Sequence, residues 1–291
     1  MTAREWFQKA QAENFAIWAF NVDNLEILNA ICLAGQKKKS PVMLEFSQGE
    51  VGYFGLNNIV DLTKNAREHF KIPILLNLDH AKNIEDCLAA IEAGFDDVHF
   101  DGSDLDFEKN IEQAKRVVEA AHAKGLLVEG EMDKFPGSSQ VHTEDLDLEA
   151  IKESFSDPAQ AKEFVEATGV DIFAAFFGNV HGTFPTQPDL DIGLLKKVRE
   201  ALPQTFLSLH GGSGIPADKV KEAIKEGKIV KINVNTELRV AFRDALSAQL
   251  GGNPEELAYY KLTLDIVNAV AAVVEGKIEV FGSAGKAEQQ G

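Results

Sequence analysis

The sequence predicts a closed (β/α)8 barrel, an α/β fold, on three observations. Eight short runs rich in apolar and β-branched residues alternate with longer amphipathic segments along the 291-residue chain. The runs are apolar almost throughout, the pattern of parallel strands covered on both faces. No GxGxxG follows the first run, which disfavours a doubly wound open sheet.

The strands are expected, in order, at residues 16–21, 42–46, 74–78, 97–101, 127–131, 172–176, 206–210 and 229–234. Helical patterns lie between them, at 24–37, 59–70, 84–93, 106–124, 158–168, 193–202, 217–225 and 237–249. The largest insertion follows the fifth strand, about 132–157. It contains the polar, Gly- and Pro-marked run PGSSQVHTEDLD and is expected to form a mobile loop over the strand ends. Beyond the eighth helix, 254–275 reads as one or two extra helices, and the tail AGKAEQQG ends the chain. No interdomain linker is evident, so residues 1–291 are expected to form one barrel domain with a C-terminal helical extension over about 254–291.

No apolar run reaches the ~18 residues needed to span a bilayer, and MTAREWFQKAQAENF lacks the apolar stretch of a signal peptide. Cys32 and Cys87 both fall in helical apolar segments and read as buried free thiols of a reducing compartment. The expectation is a soluble cytoplasmic protein. A formal net charge of −17 argues against nucleic acid and anionic membrane surfaces as partners. It does not exclude a small anionic substrate, because a metal ion or a helix N-terminus can make one site positive.

In a barrel, the strand ends converge on one mouth, where catalytic groups sit. Here they read FNVDN, FSQGE, LDHA, FDGS, EGEMD, FGNVHG, LHGGSG and NVNTE, carrying Asn21, Ser47, Asp79, His80, Asp101, Glu129, Glu131, His181, His210, Asn233 and Thr236. Of the seven histidines, His69, His122 and His142 fall on surfaces, and His99 lies inside the fourth strand as a packed core residue. His80, His181 and His210 follow three different strands. Three imidazoles leave an open fourth position on a tetrahedral zinc, as a catalytic site requires. In HGGSGIP, the glycines at 211, 212 and 214 are expected to free backbone N–H groups before a helix that starts near Ala217. Asn235 and Thr236 are placed to cap the helix after the last strand. Phosphate sites on this fold form after the last two strands from such elements. Asp79 is open to three roles: orienting a histidine, binding metal, or moving a proton. Asp101 and Glu131 could bind a second cation or simply be hydrogen-bonded charges at the mouth.

LDHA, DGS, VEGEM, GNVHG, LHGGSGIP, KINVNTE and the C-terminal FGSAGKA resemble the class II, metal-dependent ketose-bisphosphate aldolases, which include fructose- and tagatose-1,6-bisphosphate aldolases. The resemblance runs over nearly the whole chain with the motifs in order. It implies zinc held by His80, His181 and His210, and Asp79 as the acid/base group on the C4 hydroxyl. It places the phosphate of dihydroxyacetone phosphate at Gly182, Gly211, Ser213, Asn235 and Thr236, and the ketone at Asn233. It puts Asn21 and Ser47 in contact with substrate and links Asp101 and Glu131 to a second divalent or monovalent cation. A mobile-loop carboxylate serves as a further base, for which Glu144 is the candidate here. The implied partners are a sugar phosphate and further copies of the chain, as a dimer or tetramer. Where the family often has HGxYK, D-P-R and N-V-D-T-D, this chain has HGTFPTQ with Pro185, NPEE with Glu255, and NVNTE. These departures touch the phosphate contacts and leave the metal and acid/base set intact. They motivate two alternatives: an aldolase for a ketose 1-phosphate without a distal phosphate, and a non-catalytic sugar-phosphate-binding paralogue or accessory subunit. A Schiff-base aldolase using Lys231 is a further rival.

Overall fold

The computed structural model describes residues 1–288; the last three residues of the expected polar tail lie outside it. The chain opens with α1 (Ala3–Glu13), followed by β1 (Ile17–Asn21), α2 (Leu25–Lys38), β2 (Val42–Ser47), α3 (Gln48–Phe54), α4 (Leu56–Phe70), β3 (Ile74–Ala81) and α5 (Ile84–Ala93). Next come β4 (Asp97–Asp101), α6 (Phe107–His122), β5 (Leu127–Glu131), β6 (Gly137–Val141), α7 (Leu148–Glu153), α8 (Pro158–Thr168), β7 (Ile172–Ala174) and β8 (His181–Thr183). The chain closes with α9 (Ile192–Ala201), β9 (Phe206–Leu209), α10 (Ala217–Gly227), β10 (Ile229–Val234), α11 (Thr236–Gly252), a 3-10 turn at Tyr259–Lys261, and α12 (Thr263–Val280).

The expected (β/α)8 barrel is present: β1, β10, β9, β7, β5, β4, β3 and β2 pair in that order and close, every pair parallel. The eight strands are those expected, with ends shifted by a few residues. β7 stops at Ala174, two residues short, while β3 runs three residues further, to Ala81. An apolar layer between sheet and helices takes the outward strand residues, among them Trp18, Phe20, Leu44, Val98 and Phe173.

Three features go beyond the sequence expectation. First, α1 precedes the barrel. Thr2 accepts from the Glu5 N–H while the Glu5 carboxylate accepts from the Thr2 N–H, a reciprocal cap that starts the helix. Its Trp6, Phe7 and Ala10 pack on Ile17, Leu127, Ile172, Phe206 and Val230 at the strand starts, so α1 stoppers the end of the barrel away from the mouth. Second, the 132–157 insertion carries its own structure. β6 pairs with β8, and Ile151 of α7 packs with Phe176 and Val180, supported by Phe135 and Phe155. Third, the interior of the barrel is polar. Strand alternation turns Glu45, Asn77, Asp97, Glu129, Ser208 and Lys231 inward, all at 0% exposure.

Lys231 organises that interior. Its Nζ lies 2.6 Å from Glu129 Oε2, 3.1 Å from Asn77 Oδ1 and 3.2 Å from Glu45 Oε1. Burial works against its charge, but Glu129, Glu45, Asp97 and Asp79 outweigh this and hold its pKa well above the ordinary lysine value. Removing one partner of a buried ion pair strands the others, at a cost of about 3–5 kcal/mol. Lys231→Met is therefore expected to destabilise the fold on that scale, read as a lowered urea midpoint. A midpoint within experimental error of the wild type would show that the interior carboxylates do not need it.

Candidate active site

The strand ends form a cleft of about 420 Å³ at the C-terminal mouth, lined among others by Asn21, Ser47, Asp79, His80, Asp101, Glu131, His181, Gly182, Gly211, Ser213, Asn233, Asn235 and Thr236. Of the residues to which the resemblance gives a metal, acid/base or substrate role, all but Glu144 and His210 line it. His210 lies directly beneath the mouth at 0% exposure. Glu144 is exposed on the 132–157 segment and does not line the cleft. Glu255, in place of the family's arginine, is exposed and does not line this chain's cleft.

Adjacent residues of a strand point to opposite faces, so Asp79 and His80 would ordinarily diverge. The backbone prevents that. Leu78 pairs with Val98 and Ala81 with Phe100, so β3 carries one extra residue, a bulge. His80 takes a left-handed φ of 47°, uncommon for a residue with a β-carbon. Its N–H is held by His99 Nδ1 at 3.3 Å. Asp79 and His80 thus share the mouth, with Asp79 Oδ1 3.8 Å from His80 Nε2.

The histidine tautomers follow from their carboxylate neighbours. His80 Nδ1 lies 2.9 Å from Asp101 Oδ2, so the neutral ring carries its proton on Nδ1 and keeps a lone pair on Nε2. His210 Nε2 lies 2.7 Å from Glu129 Oε1, which fixes the opposite tautomer and leaves the lone pair on Nδ1. Those two lone pairs face each other, with Nδ1 of His210 3.0 Å from Nε2 of His80. Two lone pairs at that separation repel unless a proton or a metal ion lies between them. The donor set therefore fits a metal ion. Burial pushes the His210 pKa down to about 4, and burial with two neighbouring histidines pushes His181 well below its ordinary value, so both rings are neutral and ready to ligate. At His80, burial opposes the charged form, but Asp79 and Glu131 lift its pKa to about 9. The position attracts a positive charge that a metal would supply in place of the proton.

Ligand atoms of Asp79, His80, His99 and His210 converge within 4.8 Å, as do those of His80, Asp101 and Glu131. His181 stands slightly apart from these groups, its ring centre 5.0 Å from that of His80 and 6.0 Å from that of His210. His99 is fully buried with Nε2 3.2 Å from Glu131 Oε2, in keeping with a supporting core residue.

Asp79 sits between two amide donors: Asn21 Nδ2 to Oδ2 at 3.1 Å and Asn233 Nδ2 to Oδ1 at 3.2 Å. Burial disfavours its charge, yet His80, His99, His210 and Lys231 together hold its pKa well below the carboxylate range. The group is an ionised proton acceptor in a fixed orientation.

Across the mouth, the loop after β9 folds tightly. Gly211 has φ 68°, and a β-carbon there would stand 2.1 Å from Val180 O; Gly182 has φ 95°, with Ser138 O 2.3 Å from such an atom. Only glycine fits either position. The Ser213 hydroxyl is buried without a hydrogen-bond partner, and α11 starts at Thr236 beside it. Two expected donors are already engaged. The Gly212 N–H bonds Asn233 O at 2.8 Å, and the Gly214 N–H bonds Glu237 Oε1 at 2.8 Å. The Asn235 side chain makes no cap bond to α11.

Sequence reasoning left Glu129 and Glu50 without roles. Glu129 and Glu131 are two apart on β5 and share its inward face, the signal that could have paired Glu129 with a histidine. Glu50 accepts from the Ser47 N–H and holds Arg239, which also grips Asp23 and lines the cleft. The geometry counts against a Schiff-base role for Lys231, which is buried, ion-paired and held protonated.

The model of the family described as fructose-bisphosphate aldolase class-II matches residues 1–286. The chain belongs to the class II fructose-bisphosphate aldolase family. It is 37% identical to the fructose-bisphosphate aldolase of Geobacillus stearothermophilus, covering 99% of both chains, and 39% identical to that of Streptococcus pneumoniae, again over 99% of both. Among solved structures it resembles the YdjI aldolase from Escherichia coli K12 (TM-score 0.81, 32% identity, 99% of each chain). It also resembles a putative fructose-1,6-bisphosphate aldolase from Coccidioides immitis (TM-score 0.86, 30% identity, 98% of this chain and 97% of that one).

Partners behind a metal-binding histidine typically account for 10–100-fold in metal affinity. Glu129→Gln is expected to weaken divalent-metal binding by about that factor, measured by competition with a chelating dye. Unchanged affinity would show that Glu129 does not set the His210 tautomer.

Proposed function

We propose that the protein is a metal-dependent aldolase. It cleaves a ketose phosphate reversibly to dihydroxyacetone phosphate and an aldehyde. Fructose 1,6-bisphosphate or tagatose 1,6-bisphosphate, each giving glyceraldehyde 3-phosphate, is the substrate the family resemblance favours. The observation that carries the reading is the convergence of the His80 and His210 ring nitrogens, 3.0 Å apart, beside an ionised, oriented Asp79.

His80, His210 and His181 would hold the ion, and an all-nitrogen set of three with an open position suits zinc. When bound, the ion supplies Lewis-acid polarisation of the substrate carbonyl. The chain's own residues do the rest. Ser213, Thr236 and the backbone at Gly182 and Gly211 hold the phosphate and fix the sugar's register across the mouth. Asp79 takes the C4 hydroxyl proton as the C3–C4 bond breaks. That leaves the electron pair on C3 of the three-carbon fragment and the new carbonyl on the aldehyde, and a proton delivered to C3 completes dihydroxyacetone phosphate. In the reverse direction Asp79 returns the proton. Asn21 and Asn233 keep its carboxylate aimed, and the Asn233 Oδ1, buried without a partner, faces the same space. Glu144 could act as a further base only if the 132–157 segment moved over the cleft. We read the whole chain as one catalytic domain, cytoplasmic and homo-oligomeric. The exposed Leu257, Tyr260 and Leu264 near the 3-10 turn support self-association.

Two measurements test this. Asp79→Asn should retain metal and substrate affinity while turnover falls by roughly 10²-fold or more, the scale of a positioned acid/base group. Loss of metal, or a near-normal rate, would remove Asp79 from that role. In the wild type, chelation should abolish cleavage, and borohydride with substrate should label no lysine; a trapped adduct on Lys231 would overturn the metal mechanism.

The aldehyde end of the substrate calls for its own cation. Arg239 lines the cleft, held by Asp23 at 2.8 and 2.9 Å and by Glu50 at 3.1 Å. Lys134 also lines it, but is tied to Asp104 at 2.6 Å. If Arg239 meets the distal phosphate, Arg239→Ala should lower kcat/KM for both bisphosphates at least tenfold more than for fructose 1-phosphate. If wild-type protein handles fructose 1-phosphate as well as either bisphosphate, the distal phosphate is not recognised and the substrate is a ketose 1-phosphate.

A further inference from the structure

Lys82, just past the end of β3, belongs to no role assigned so far. Its Nζ lies 2.7 Å from Asp101 Oδ2, 3.2 Å from Asp104 Oδ2 and 3.2 Å from the Ser103 hydroxyl. The Asp101 oxygen it touches is the one that meets His80 Nδ1 at 2.9 Å. Asp101 in turn belongs to the second convergent group, His80, Asp101 and Glu131.

We propose that the Lys82 ammonium takes the place of a second cation, so that the protein holds one divalent ion per chain and the His80–Asp101–Glu131 group is closed to metal. The inference rests on the reading of His80 Nε2 as a ligand of the catalytic ion. Three observations carry it. First, a ring that gives Nε2 to the catalytic ion keeps its proton on Nδ1 and donates it to Asp101. The second group thereby loses its imidazole ligand and retains two carboxylates. Second, both oxygens of Asp101 are already supplied with donors. Oδ2 receives His80 Nδ1 and Lys82 Nζ; Oδ1 receives the Ser103 N–H at 3.1 Å and the Ser103 hydroxyl at 2.6 Å. An incoming ion would have to displace charge-assisted bonds. Third, any ion bound to Asp101 would share that carboxylate with the ammonium of Lys82, and the two cations repel at close range.

Lys82 is on this account a positioning residue. It neutralises Asp101 while leaving it free to accept from His80, and so helps fix the tautomer that presents Nε2 to the mouth. A lysine suits the task because its charge is compact and its stem flexible, and two acids and a hydroxyl share its three donors.

The test is zinc stoichiometry, which does not depend on turnover. Wild-type, Lys82→Met and Lys82→Arg proteins are stripped, titrated with zinc by calorimetry, and checked by elemental analysis after gel filtration. Wild type and Lys82→Arg are expected to hold one zinc per chain, and Lys82→Met to hold two, the second more weakly. Two ions in the wild type would overturn the proposal. So would a single ion in Lys82→Met, because it would show that the group stays closed without the ammonium. No tight zinc in the wild type would instead bring down the metal reading itself, and this proposal with it.

Discussion

Glu129 sits at 0% exposure between two demands. Lys231 Nζ lies 2.6 Å from one of its oxygens, while His210 Nε2 lies 2.7 Å from the other, which also accepts from the Ser208 hydroxyl. Burial alone would raise the pKa of this carboxylate. Lys231, His99 and His210 more than offset that and keep it ionised. The charge below the mouth and the tautomer at the mouth are therefore one problem with one solution. Without Lys231, Glu129 would be driven towards its neutral acid. Without an ionised Glu129, nothing would compel His210 to turn its Nδ1 lone pair towards His80. A polar barrel interior is costly to build, because every buried charge needs a partner. Here the cost is tied to the orientation of His210, a candidate metal ligand at the mouth.

A second constraint acts through the backbone. The left-handed His80 and the bulge in β3 bring two neighbouring side chains to one mouth, at the expense of ladder pairing and local strain. His99 holds the kink from below, through its bond from the His80 N–H, while its other nitrogen faces Glu131. This explains how a histidine inside a strand can be both a core residue and a determinant of the site. It does not need to touch substrate to decide where His80 points.

The barrel was legible because strand-length apolar runs and helical periodicities repeat along the chain, and their ends carry the polar residues that line the mouth. Asp79, His80, His210 and the glycine loop could be placed on that frame without coordinates. What stayed hidden has physical reasons. The bulge in β3 leaves no mark in LDHA, since any sequence can be read as a regular strand until its partner is known. The links from Glu129 to Lys231 and from Lys82 to Asp101 join residues far apart in sequence or on different strands, so no local spacing encodes them. Lys231 was readable as a Schiff-base rival; only the closed barrel shows it pointing into the interior and ion-paired there. The 132–157 segment read as a bare loop because β6 has five residues, mostly exposed to solvent, and pairs with β8, a strand of three residues that is too short to show periodicity.

The acidity of the protein sets the terms on which it can meet a sugar phosphate. A net charge of −17 repels such a ligand at long range, but the repulsion is screened beyond about 8 Å at physiological ionic strength. Recognition must therefore come from groups in contact. Each cation lining the cleft is already matched: Lys82 by Asp101 and Asp104, Lys134 by Asp104, Arg239 by Asp23 and Glu50. Their charges are largely spent on the protein's own acids. On the proposed reading, the attraction at the proximal phosphate would fall to uncharged donors, namely the Ser213 hydroxyl, the backbone at Gly182 and Gly211 and the N-terminus of α11 at Thr236. Such donors are fixed by the fold and read the position of an anion as well as its charge. A site built this way tolerates an acidic surface, and it ties binding of the phosphate to the same strand ends that orient the histidines.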